Sequence, residues 1–122
     1  MAGDELERLR TASAGLDYPS ESDAPFDLFC LTSEGGKTAE EQIAGLGGER
    51  NIEEVPLDRF FTGLEDSEDA PRFRQVHRAL ESVLDQPRVF RVGGGEVRVD
   101  IYLIGRTRTG RWAGLHTVSV ET

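Results

Sequence analysis

The sequence predicts an α+β fold in which helices pack in layers on a mainly antiparallel sheet. Three segments rich in β-branched and aromatic residues follow one another at 88–92, 96–104 and 111–120, and glycine-containing turns separate them. This pattern is typical of an antiparallel meander. Helical periodicity occurs before these strands, so the helices must cover the sheet from earlier parts of the chain. The middle segment becomes apolar on its second face at Tyr102 and Ile104, which predicts that part of the sheet is covered on both sides.

Two shorter helices are predicted in the first half of the sequence. Good helix formers fill the segment 4–14, and Gly15 follows where a helix would end. Thr38 and Glu41 have the spacing of a capping box, in which each side chain binds the free backbone N–H group of the other residue. The helix that they begin is expected to end in the glycine-rich stretch 45–48.

The longest helix is predicted at 70–85, directly before the strands. Asp69 is expected to be its N-cap, Pro71 lies in its first turn, and Pro87 is expected to end it. The apolar residues that recur there at spacings of three and four are Phe73, Val76, Leu80, Val83 and Leu84.

The remaining segments predict loops, one more strand and a short helical turn. The polar, proline-bounded segment 17–25 is expected to be a loop that leads into a strand at 26–32. The segment 55–64 is expected to form a brief helical turn that inserts Phe60 or Phe61 into the core.

Length and charge restrict the class of protein. The chain has 122 residues, which fits a single domain spanning 1–122, and its net charge is −9, from 23 acidic and 14 basic residues. A field of this sign repels nucleic acid and anionic membranes and attracts basic clefts. Direct binding to nucleic acid or to a membrane is therefore not expected.

The single cysteine bears on the compartment. Cys30 lies between Phe29 and Leu31 and cannot form an internal disulfide, so we expect a small buried residue in a reducing compartment. The sequence begins without the apolar stretch of a signal peptide and contains no apolar run of about 20 residues. These features predict a cytoplasmic protein.

The residue types that commonly perform catalysis do not form a recognisable arrangement. Cys30 lies in apolar surroundings, and neither His77 nor His116 has a local partner at a spacing typical of zinc sites. The glycines at 93–95 join two strands, whereas a phosphate-binding loop joins a strand to a helix.

The loop at 64–69 is acidic but does not have the pattern of a metal site. The carboxylates of the loop are Glu65, Asp66, Glu68 and Asp69. The loop lacks the alternating ligands and central glycine of a calcium-binding loop, so it is interpreted as solvated.

We predict a protein without a cofactor that is not an enzyme. An enzyme that uses Asp100, Tyr102 or His116 on the sheet is the less favoured alternative.

Two segments carry unusual oxygen chemistry. The segment 20–23 places two hydroxyl groups and two carboxylates on one loop, and the sequence ends with Thr122 directly after the last predicted strand. A threonine hydroxyl and a carboxylate are both hard oxygen ligands that suit Mg²⁺ or can bind an arginine.

These two segments belong to a series of motifs that runs along the chain. The motifs are ASAGL at 12–16, SESDAPF at 20–26, LDRFF at 57–61, PRVFRVG at 87–93, VDIYLIG at 99–105, AGL at 113–115 and VET at 120–122. In content and order they resemble the nuclease A inhibitor family, with the weakest agreement at 34–54 and 62–72. The segment 62–71 is shorter than in that family and lacks its aromatic residue, although it stays acidic.

The resemblance implies a fold, a partner and a set of contact residues. It implies an α-β-α sandwich that binds a sugar-non-specific nuclease of the ββα-metal type and blocks its active site. A monomer that binds one nuclease is the simplest expectation. Thr122 would supply a hydroxyl ligand to the nuclease's Mg²⁺, Glu21 would bind a basic residue of that active site, and the acidic surface would mimic the phosphate backbone. The residues expected to contact the partner are Ser20, Glu21, Ser22, Asp23, Glu65, Asp66, Glu121 and Thr122.

An alternative function keeps the fold and changes the partner. The chain would then be a non-inhibitory interaction module that binds another basic protein. Binding without inhibition of nuclease activity would distinguish this alternative.

Overall fold

A five-stranded antiparallel sheet forms the centre of the fold. The computed structural model describes residues 2–20, 23–31, 38–47, 50–93 and 97–121. Across the sheet the strand order is β3-β7-β6-β5-β4, and a separate two-stranded hairpin pairs β1 with β2. In chain order the elements are α1 (Ala2–Ser13), β1 (Asp17–Tyr18), β2 (Ala24–Pro25), β3 (Asp27–Cys30), α2 (Ala39–Gly47), β4 (Ile52–Val55), α3 (Leu57–Thr62), α4 (Ala70–Val83), β5 (Asp85–Val92), β6 (Arg98–Arg106) and β7 (Trp112–Val120).

The helices lie on both faces of this sheet. Because side chains alternate along a strand, Val89 packs in the core beneath α1 and α4, whereas its neighbour Phe90 packs on the opposite face with Ile43 of α2. Leu103 and Ile104 of β6 are divided between the two faces in the same way. The predicted α+β fold, with helices packed on an antiparallel sheet, is confirmed.

The longest helix agrees with its prediction at the beginning and differs at the end. Asp69 occupies the N-cap position of α4, although its side chain makes no capping hydrogen bond, and the helix ends at Val83. The prediction that Pro87 ends the helix was wrong. Pro87 lies inside β5, beside a shift of register between Asp85 and Arg88. A proline has no N–H group to donate, and an irregularity in the pairing is where a strand tolerates that loss.

The capping box at the start of α2 is confirmed. The backbone N–H of Glu41 donates to Oγ1 of Thr38 at 3.2 Å, and the backbone N–H of Thr38 donates to Oε1 of Glu41 at 3.4 Å. These two bonds satisfy N–H groups that the helix itself leaves without partners.

Two elements and one burial assignment differ from the expectations. The loop predicted at 17–25 contains the β1–β2 hairpin, and the edge strand β4 was not predicted. The expectation that Cys30 is buried was wrong, since it is exposed at the end of β3, which is an edge strand of the sheet. Both Phe60 and Phe61 are buried, as the helical turn α3 requires.

An ionic cluster fastens α2 to the sheet. The guanidinium group of Arg88 donates two hydrogen bonds to Glu54 of β4, at 2.6 and 2.8 Å, and a third to Glu40 of α2. The same group lies 5.1 Å from the centre of the Phe90 ring. Arg88 therefore connects three elements on this face of the sheet.

The cluster predicts a dependence of stability on pH. The hydrogen bonds from Arg88 lower the pKa of Glu54. A hydrogen bond from the backbone of Glu40, together with that from Arg88, lowers the pKa of Glu40. A carboxyl group whose pKa is lowered in the folded state stabilises that state above its ordinary pKa, and the stabilisation is lost as the pH falls through the folded value. We expect the free energy of unfolding in urea to decrease below about pH 4.5, the usual range for glutamate, and to decrease less in Arg88→Ala. Equal slopes in the two proteins would contradict this role of Arg88.

Candidate functional site

The β1–β2 hairpin and Ser20 lie beside the end of the last strand. The Oγ1 of Thr117 in β7 donates a hydrogen bond to the carbonyl oxygen of Ala24 at 3.3 Å. The backbone N–H of Val120 donates to Oγ of Ser20 at 3.0 Å. Ser20 of the first oxygen-rich segment therefore lies beside Val120, at the end of the last strand.

The hairpin is held in place by aromatic packing. The ring of Tyr18 stacks on Phe60 at 5.7 Å between ring centres and meets the edge of Phe26 at 6.4 Å. Burial raises the pKa of the Tyr18 hydroxyl, and the nearby charge of Glu121 acts in the same direction. The hairpin is thus packed onto the main core and has a fixed position beside the end of β7.

The residue after β7 is bound on its backbone and on its side chain. The backbone N–H of Glu121 donates to the carbonyl oxygen of Val97 at 2.7 Å. Its carboxylate accepts hydrogen bonds from Arg91 at 2.6 Å and from the hydroxyl of Ser119 at 2.9 Å. The hydrogen bond from Arg91, followed by that from Ser119, lowers the pKa of Glu121.

An acidic groove lies beside the hairpin. It has a volume of about 420 Å³ and is lined by residues of 15–19, by Asp23 and by residues of 63–69. Asp23, which the sequence singled out, lies in this groove. Asp17, Glu68 and Asp69 also line it, although they were not among the expected contact residues. The acidic composition of 64–69 was visible in the sequence, but its proximity to Asp23 depends on how the hairpin folds.

The other expected contact residues have different positions. Glu65 is engaged by Arg74 at 2.9 Å in an exposed ion pair, and Asp66 is exposed. Glu21, Ser22 and Thr122 lie outside the described residues.

The residues of the enzyme alternative cluster on the opposite face of the sheet. Nε2 of His116 lies 2.7 Å from one oxygen of Asp100, and Arg50 donates to the other oxygen at 2.5 Å. The ring of Tyr102 lies 4.8 Å from that of His116. Burial raises the pKa of Asp100, but the hydrogen bonds from Arg50, His116 and Arg98 outweigh it and lower that pKa. The geometry is that of a buried carboxylate compensated by surrounding donors, and it connects Asp100 of β6 with His116 of β7.

A comparison with models of known protein families identifies the family of the chain. The family model described as nuclease A inhibitor-like protein matches residues 4–122, which includes the hairpin, the acidic loop and the end of β7. The chain belongs to the nuclease A inhibitor-like family. A search of the curated proteins found no match.

Membership of the nuclease A inhibitor-like family gives the site a general interpretation. The family is one of inhibitors, and it implies a nuclease as the partner. Within the described residues, no helix is long and apolar enough to cross a membrane.

Proposed function

We propose that this nuclease A inhibitor-like protein blocks the active site of a sugar-non-specific nuclease of the ββα-metal type. The observation that supports the proposal is the hydrogen bond between Val120 and Ser20, which joins the residue directly before Glu21 to the last residue of β7. A plug for an active site needs several ligands presented together, and a fixed arrangement avoids the entropy cost of ordering them on binding.

Thr122 and Glu21 have different roles in the proposal. Thr122 follows the bound residue Glu121 and supplies a hydroxyl ligand to the nuclease's Mg²⁺, which denies that position to the substrate. Glu21 follows the bound residue Ser20 and pairs with a basic residue of the nuclease. Asp23 of the same loop lines the acidic groove, and Ser22 is a further proposed contact residue.

Charge supports the choice of partner. The net charge of −9 gives the protein the sign of a nucleic acid, and a cleft that binds polyanions attracts such a surface. Glu65 and Asp66, beside the groove-lining Glu68 and Asp69, extend the negative surface. In this proposal the protein is a single domain that acts as a cytoplasmic monomer, performs no catalysis, needs no cofactor of its own and binds no nucleic acid directly.

The proposal is tested by the degradation of plasmid DNA by a ββα-metal nuclease in excess Mg²⁺. We expect the wild-type protein to inhibit the nuclease, and Glu21→Ala to inhibit about tenfold less well, because a charged partner in the nuclease loses its counter-ion. The matched control is Glu7→Ala, which removes the same charge from the exposed surface of α1. Glu7→Ala is expected to retain inhibition within about twofold, because it weakens only the long-range electrostatic attraction between the two proteins. Glu21→Ala weakens that attraction by the same amount, so the difference between the two variants reports the direct contact of Glu21.

The outcome separates the proposed function from the alternative one. If the wild-type protein binds such a nuclease without slowing DNA degradation, it is a non-inhibitory interaction module. If it neither binds nor inhibits several nucleases of this type, the active-site proposal is wrong, and another basic protein becomes the expected partner.

A further inference from the structure

Arg91 is a basic residue that lies beside two carboxylates near the end of β7. It lies on β5, on the same face as Thr117 and Ser119, where the β1–β2 hairpin covers the sheet in place of a helix. Its guanidinium group binds Glu121 at 2.6 Å and lies 3.9 Å from Glu53 of the edge strand. A cation here does not fit a surface whose only task is to present negative charge to a nuclease.

The contacts of Arg91 assign it a different task. Only 23% of its side chain is exposed, so the guanidinium group is held largely within the protein. The carboxylate that it binds belongs to the residue immediately after β7, and the hydroxyl of Ser119 binds the same carboxylate oxygen. The backbone of that residue is bound to Val97 at 2.7 Å. Three groups, from Arg91, Ser119 and Val97, therefore hold Glu121 in place.

We infer that Arg91 is a positioning residue that orients the end of the chain for the nuclease, and that Glu121 acts within the protein as its counter-ion. This inference rests on the proposed function, because it explains how the last residue is presented to a metal site. A ligand must be placed within a fraction of an ångström to occupy a metal's open position. The end of a strand frays when a single backbone hydrogen bond holds it. A bidentate or charge-assisted hydrogen bond to the side chain of the following residue, here Glu121, restricts that motion.

The first test measures, without any nuclease, how firmly Arg91 holds Glu121. In Arg91→Ala the backbone N–H of Glu121 is expected to exchange with solvent about tenfold faster, because the side chain no longer holds the residue against β6. The matched control is Arg88→Ala, which removes the same charge from the same strand but on the opposite face, where the partners are Glu40 and Glu54. In this control the exchange rate of the Glu121 amide should stay within about twofold of the wild-type value.

The second test measures inhibition for the same variants. Arg91→Ala is expected to inhibit the nuclease about tenfold less well than Arg88→Ala at equal net charge, and Arg91→Lys is expected to recover part of the loss. The urea midpoint of each variant is measured to show that it is folded at the assay temperature. A loss of inhibition that follows the urea midpoint, and not the exchange rate of Glu121, would show that Arg91 has only a structural role and overturn the inference.

A double-mutant cycle separates the two roles of Glu121. If Glu121 acts through Arg91, the variants Arg91→Ala and Glu121→Ala and their combination should inhibit equally well. If Glu121→Ala weakens inhibition by the same factor in the presence and absence of Arg91, Glu121 contacts the nuclease independently and the inference is wrong. Failure of the wild-type protein to inhibit would overturn the proposed function. An unchanged hydrogen-exchange rate of the Glu121 amide in Arg91→Ala would overturn only the inference that Arg91 positions Glu121.

Discussion

Replacing Gly114 by alanine is expected to lower the free energy of unfolding by about 3 kcal/mol or more. Gly114 lies in β7, opposite Ile104 of β6, in the most extensively paired part of the sheet. A Cβ atom at this position would lie 1.7 Å from the carbonyl oxygen of Leu103 and 3.1 Å from Cα of Ile104. These are backbone atoms, so the clash is relieved only if the two strands separate. Urea unfolding followed by circular dichroism measures the change.

A second glycine supplies the control. Gly45 lies in α2, and a Cβ atom there would have no neighbour within 4 Å. Gly45→Ala is expected to stabilise the protein by about 0.5–1 kcal/mol, because alanine loses less backbone entropy than glycine on entering a helix. If Gly114→Ala were as stable as the wild-type protein, the approach of β6 and β7 at this point would not be as close as described.

Replacing Thr122 by alanine is expected to weaken nuclease inhibition about a hundredfold if the proposed function is correct. The hydroxyl group is the proposed ligand to the partner's Mg²⁺, and a methyl group cannot replace it because Mg²⁺ binds oxygen ligands in a strict geometry. Plasmid degradation at a series of inhibitor concentrations measures the loss. Because Thr122 lies beyond the last paired residue of β7, the free energy of unfolding in urea should stay within about 0.5 kcal/mol of the wild-type value.

The matched variant is Thr122→Ser, which keeps the hydroxyl group and loses only the methyl group. It is expected to inhibit within a few-fold of the wild-type protein. One residue added after Thr122 should weaken inhibition steeply, since the extension would occupy the space next to the metal. Equal inhibition by the alanine and serine variants would show that the hydroxyl is not a ligand and would sink this mechanism.

Several elements could be predicted because their causes are local. The capping box of α2 depends on two residues three positions apart, and the helix α4 depends on apolar residues repeated within fourteen residues. The meander follows from the alternation within β6 and the turns that flank it. The end of α4 was harder to predict, because Pro87 fits either after a helix or at an irregular point in a strand, and the sequence does not distinguish these.

The sequence by itself determined most of the helices and strands, the negative charge and the two oxygen-rich segments, since each is a property of neighbouring residues or of composition. Only the tertiary structure decided which of these segments meet. Ser20 and Val120 are brought together by a hairpin packed through Tyr18, and Glu121 finds Arg91 because β5 and β7 flank β6. Strand order also decided that Cys30 is exposed. The alternation of side chains along a strand shows which residues share a face, but it does not show whether the strand lies at an edge of the sheet.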